Sequence, residues 1–98
     1  VIKWLSVLSK ENQTLMSQAV IDSMTLSMHD LTDDSKEVKE VAHRLKGATG
    51  ALELTEVSNL CQQLESNPED EQLKQVLLAD IKEIIKDASL YLKQLGNN

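Results

Sequence analysis

VAHRLKGATGALEL, Val41 to Leu54, is the stretch that decides both the fold and the face this chain shows to solvent. At about 100° per residue, Val38, Val41, Ala42, Leu45, Thr49 and Leu52 fall on one side of a helix, and His43 falls almost opposite. The segment therefore reads as an amphipathic helix with an apolar stripe and an outward imidazole. Lys39, Lys46, Gly47 and Gly50 cluster on the outward face. A glycine inside a helix costs about 1 kcal/mol relative to alanine, so the pair gives up roughly 2 kcal/mol in a small domain. Helical side chains lean toward the N-terminus, so any side chain at position 47 would lean back over the ring at 43. Gly47 leaves that ring uncovered, and Gly50 widens the flat area a second protein can approach. Lys46 lies three residues beyond His43 and can hold positive charge beside an anion carried on the ring.

Flanking segments repeat the helical period. A first long helix is expected from about Glu11 to Leu31, with Leu15, Met16, Ala19, Val20, Met24 and Met28 at helical spacing. A short amphipathic lead-in around Ile2 to Leu8 precedes it. Thr32-Asp33-Asp34-Ser35 carries turn and N-cap chemistry, which places the second helix from about Ser35 to Leu52. Leu54, Val57, Leu60, Cys61 and Leu64 mark a shorter third helix that starts near Glu53 or Thr55. Asn67-Pro68 then turns the chain, and Pro68 suits the first turn of a final helix with Glu69, Asp70 and Glu71 at its positive end. That helix carries Leu73, Val76, Leu77, Ile81, Ile84, Ile85, Ala88, Leu92 and Leu95, then stops at Gly96. Short connections make neighbours antiparallel, so the expected architecture is an all-α, up-down antiparallel four-helix bundle with a short N-terminal lead-in helix.

Composition narrows the function. Ninety-eight residues suit one domain spanning 1–98, and Trp4 and Tyr91 are the only aromatic residues, a balance that favours helices over strands. A net charge of −6 argues against nucleic acid or an anionic membrane surface as partner, since both demand clustered Lys and Arg. No apolar run approaches the roughly 20 residues of a membrane span. Cys61 has no second cysteine to pair with and reads as a buried core thiol. His29, near the end of the first long helix, reads as a solvated helix-end histidine.

Around the outward imidazole the sequence resembles the histidine-containing phosphotransfer (HPt) domains of two-component phosphorelays. The resemblance is carried by His43-Arg44-Leu45-Lys46-Gly47, then Gly50, Leu52 and Leu54, and continues into Leu60-Cys61-Gln62-Gln63-Leu64-Glu65. It implies that His43 accepts a phosphoryl group from a receiver-domain aspartyl phosphate and passes it to another receiver aspartate. In that frame Lys46 screens the phosphoryl oxygens, and Gly47 and Gly50 admit the receiver. Glu65 is a candidate to accept a hydrogen bond from the other ring nitrogen and so orient the imidazole. Many relatives carry Gln at that position. A further departure is Leu52-Glu53-Leu54, where many relatives have glycine in the middle, and it bears on where the helix ends.

Imidazole titrates near neutrality, so a nucleophilic nitrogen is available at cellular pH. The chain has neither a Walker-type loop nor a kinase signature set, and no autonomous use of ATP is expected. No cofactor is expected in this domain; Mg²⁺ would come with the partner's receiver domain. The expected setting is cytoplasmic, with the domain monomeric in isolation and without direct membrane contact. The first residue is Val rather than Met, so the chain reads as either processed or a segment of a larger protein, and with the resemblance the expected parent is a membrane-anchored hybrid sensor kinase carrying this domain as its C-terminal module. Two alternatives stay open, a non-phosphorylated helical adaptor and the autophosphorylated N-terminal domain of a kinase. A di-metal bundle would need two inward Glu-x-x-His units. The chain has only Glu40-Val41-Ala42-His43, which faces outward.

Overall fold

The computed structural model describes residues 9–96. They form four helices, α1 (Lys10–Thr32), α2 (Val38–Ala51), α3 (Thr55–Ser66) and α4 (Glu71–Gly96), with no strand among the described residues. The expected all-α bundle is what forms, while the lead-in helix expected around residues 2–8 lies outside the described residues. The connections 33–37, 52–54 and 67–70 are too short for anything but antiparallel neighbours. Packing is closest within the pairs α1–α4 and α2–α3. With 23 and 26 residues, α1 and α4 run about 35–39 Å, against about 18–21 Å for the 14 and 12 residues of α2 and α3. The α2–α3 hairpin therefore lies against one end of the long pair.

All four helices contribute to one apolar core, in which Met24, Leu31, Leu45, Leu64, Leu77 and Ile81 are the largest fully buried side chains. The stripe expected on α2 is the one buried: Val41, Ala42, Leu45 and Thr49 are inside, with Val38 and Leu52 half-buried. On α1 the expectation needs correcting. Leu15 is 64% exposed and Ala19 is also exposed, while the inner face is Ser17, Val20, Met24, Ser27 and Leu31. A buried serine is small enough for close helix approach and can return its hydroxyl to the helix, as Ser27 Oγ does to the Ser23 carbonyl at 2.9 Å. Hydrophobicity alone therefore misplaces this face. On α4, Val76, expected in the apolar stripe, is 45% exposed, while Leu78, outside that expectation, is buried beside Leu77.

Helix starts also differ from expectation. Ser9 caps α1 by accepting the Asn12 N–H at 3.2 Å. The Thr32–Ser35 run does not cap α2. Asp33 Oδ1 accepts from the Ser35 N–H at 2.9 Å and from its hydroxyl at 2.7 Å, closing a turn of its own and holding the Asp33 carboxyl below its ordinary range. The helix begins only at Val38, after Glu37. Likewise Pro68 lies in the turn before α4, and Asp70 Oδ1 accepts the Leu73 N–H at 3.0 Å where the helix starts.

The end of α2 explains the unusual Leu52-Glu53-Leu54. The Leu54 N–H donates to the Thr49 carbonyl at 2.8 Å and the Glu53 N–H to the Gly50 carbonyl at 3.1 Å, the paired bonds of a Schellman terminus. That motif needs its residue in the left-handed region, and Glu53 takes it with φ of 60°. The tight reversal starts α3 at once and lays it beside α2.

Candidate functional site

His43 projects from the outer face of α2, its side chain 68% exposed. Its Nδ1 lies 2.8 Å from Glu65 Oε1 on α3. The α2–α3 turn makes this pairing possible, since it brings together residues 22 apart in sequence. The other carboxylate oxygen of Glu65 lies 2.9 Å from Lys46 Nζ. Lys46 and then His43 hold the Glu65 carboxyl below its ordinary value, so it is a carboxylate at neutral pH. A carboxylate only accepts, so the proton on this hydrogen bond belongs to Nδ1. In the neutral form of the ring, Nε2 is then the nitrogen that keeps its lone pair.

Around this centre the helix faces fit together closely. Ser58 Oγ donates to the Lys46 carbonyl at 3.3 Å, tying α3 to α2 one turn below the imidazole. Arg44, next to His43, reaches across to Asp30 on α1 in a short ion pair. Glu37, Lys39 and Glu40 line an open depression together with His43 and Glu65. The site is a surface, not a cleft.

The two glycines leave that surface flat. A Cβ at Gly47 would meet nothing within 4 Å, and one at Gly50 would make only an ordinary 3.7 Å contact with Ser58 Oγ. Among the described residues nothing crowds a side chain at either position. Beneath the surface, Thr49 Oγ1 donates to the Leu45 carbonyl at 2.8 Å, and Cys61 is fully buried. Burial pushes the Cys61 thiol up to about 11, so it stays protonated and takes no part in the surface chemistry.

Sequence reasoning thus placed His43, Lys46, Gly47 and Gly50 on one face, and the structure brings Glu65 to them. It missed the Arg44–Asp30 tie and the Ser58 contact, because neither residue shows a partner until the helices are packed. Lys46, expected to meet an incoming anion, lies against Glu65 in the unmodified chain. Among the described residues no group of three or more His, Cys, Asp or Glu is placed to hold a metal ion. No described helix is long and apolar enough to cross a membrane.

The chain is thus a helical bundle that presents a solvent-facing imidazole braced by a neighbouring helix. The family model for the Hpt domain matches residues 4–91, nearly the whole chain, and the chain belongs to that family. Comparison with curated proteins and with solved structures gave no match. Membership carries a role in histidine phosphotransfer within phosphorelays and an interaction with receiver domains.

Proposed function

We propose that His43 is the phosphoryl carrier, with Nε2 as its nucleophilic atom. The observation that carries this reading is the 2.8 Å pairing of Nδ1 with Glu65 on an imidazole that is otherwise exposed. A ring whose one nitrogen is committed as a donor can attack only through the other. Nε2 attacks the phosphorus of a receiver's aspartyl phosphate, the N–P bond forms, and the acyl P–O bond breaks with its electron pair returning to the aspartate. Transfer onward reverses these events with a second receiver.

The remaining residues serve approach and charge. Gly47 and Gly50 keep the face flat for the receiver, and Lys46 supplies positive charge to the phosphoryl oxygens by turning from Glu65. Mg²⁺ belongs to the receiver's acidic pocket, and no ATP-using activity is assigned to this chain. Residues 1–98 act as one domain, monomeric and cytoplasmic, as the C-terminal module of a hybrid sensor kinase.

Phosphotransfer from a receiver charged by a small phosphodonor tests the reading, with intact mass followed for wild type and His43→Gln. One added phosphoryl group, labile in acid, stable in base and absent in the variant, is the expected result. No gain with several receivers would favour the adaptor alternative, and a gain that survives in His43→Gln would place the carrier elsewhere.

A further inference from the structure

Position 65 holds a carboxylate, and the charge has a consequence that orientation alone does not. When Nε2 takes the phosphoryl group while Nδ1 keeps its proton, the ring becomes an imidazolium. Onward transfer breaks the N–P bond and returns the electron pair to Nε2. If Nδ1 still carries its proton, the leaving group is neutral imidazole; if that proton has been lost, it is an imidazolate anion, a far poorer leaving group. The phosphorylated ring must therefore stay protonated to remain a donor. Glu65 Oε1 lies 2.8 Å from the atom that carries that proton.

We infer that the Glu65 carboxylate holds the proton on Nδ1 through the phosphorylated state and so extends phosphoryl donation to more alkaline pH than a neutral amide at this position would. This rests on His43 being the carrier. An anion in hydrogen-bond contact favours the charged ring by about one pH unit or more, whereas an amide oxygen offers the hydrogen bond without the charge. Lys46 sets the strength of the effect from the other side. At 2.9 Å from Glu65 Oε2 it offsets part of the negative charge, and if it turns to the phosphoryl group the full carboxylate charge is left to the ring. The other charged groups near the ring, Glu37, Lys39 and Glu40 on the α2 side, are common to every variant compared. Differences between variants therefore report on positions 65 and 46.

The test is a pH titration of the phosphorylated domain by ³¹P and ¹H–¹⁵N NMR for wild type, Glu65→Gln and Lys46→Met, together with the pH profile of transfer to a receiver. Glu65→Gln is expected to lower the ring's titration midpoint by about one pH unit or more and to shift the alkaline fall in transfer rate by the same amount. Lys46→Met is expected to move the midpoint upward. A purely positional role would lower the rate equally at all pH values and leave the midpoint in place. Midpoints in Glu65→Gln and Lys46→Met that coincide with wild type would overturn the inference while leaving the carrier role intact. A wild-type domain that takes no phosphoryl group would fail the carrier reading itself, and this inference with it.

Discussion

At Glu65 one carboxylate serves two partners on the neighbouring helix, and its own ionisation links them to pH. Its folded-state value lies below the ordinary 4.5. The stabilisation it brings is thus present above that ordinary value and is lost as pH falls through the lower folded one. Urea midpoints of wild type and Glu65→Gln should differ at about pH 6 and converge toward pH 3; a constant gap would show that the carboxylate's charge adds nothing to the fold. Ser17 is a different case at the same scale. Its hydroxyl is fully buried and finds no hydrogen-bond partner among the described residues. Ser17→Ala removes that unsatisfied group and adds helix propensity, so it should stabilise by about 1 kcal/mol in chemical denaturation.

Within α2 the same arithmetic separates fold from function. Among the described residues Gly47→Ala meets no packed neighbour within 4 Å and should raise stability by about 1 kcal/mol. If the gap exists for a receiver, the added methyl should cut the transfer kcat/KM by about ten-fold or more by displacing the reacting atoms. A variant both more stable and fully active would remove Gly47 from the site. At the helix end, Glu53 occupies a left-handed conformation that costs a side-chain-bearing residue roughly 1–2 kcal/mol, partly offset by the entropy glycine would lose. Glu53→Gly should therefore stabilise by about 0.5–1 kcal/mol, read as a rise in denaturation midpoint, and Glu53→Val should do the reverse.

These elements also show what the chain discloses before it folds. The α2 stripe and its outward histidine were legible because apolar and polar residues separate cleanly along Val38–Ala51. On α1 they do not: Ser17 and Ser27 face inward and Leu15 outward, and only packing against α4 selects that face. The start of α2 was misplaced because Asp33 can close a turn as readily as cap a helix, and which of the two it does depends on where α1 releases the chain. Glu65 came from the resemblance, since nothing in its own spacing ties it to a residue 22 positions earlier.

The described residues span 45 Å by 20 by 18 Å, and that length separates two jobs. His43 lies in the second turn of α2, near the end of the bundle where α4 begins. Tyr91 lies 20 residues along α4, about 30 Å down its axis, where its hydroxyl donates to Gln13 Oε1 at 2.8 Å and ties α4 to the start of α1. The α2–α3 hairpin is too short to run the length of the long pair, so contacts such as this one join the first and last helices where the hairpin gives least support. Tyr91→Phe keeps the ring's packing and deletes the bond, which should cost about 0.5–1.5 kcal/mol of global stability. Because folding is cooperative in a domain of this size, the loss should appear as one shifted unfolding transition and not as separate melting of the two ends. With His43 as the proposed carrier, the rate of phosphotransfer should stay at the wild-type value. A slower transfer at temperatures where the variant is fully folded would mean that the far end of the α1–α4 pair reaches the imidazole through the helices between them.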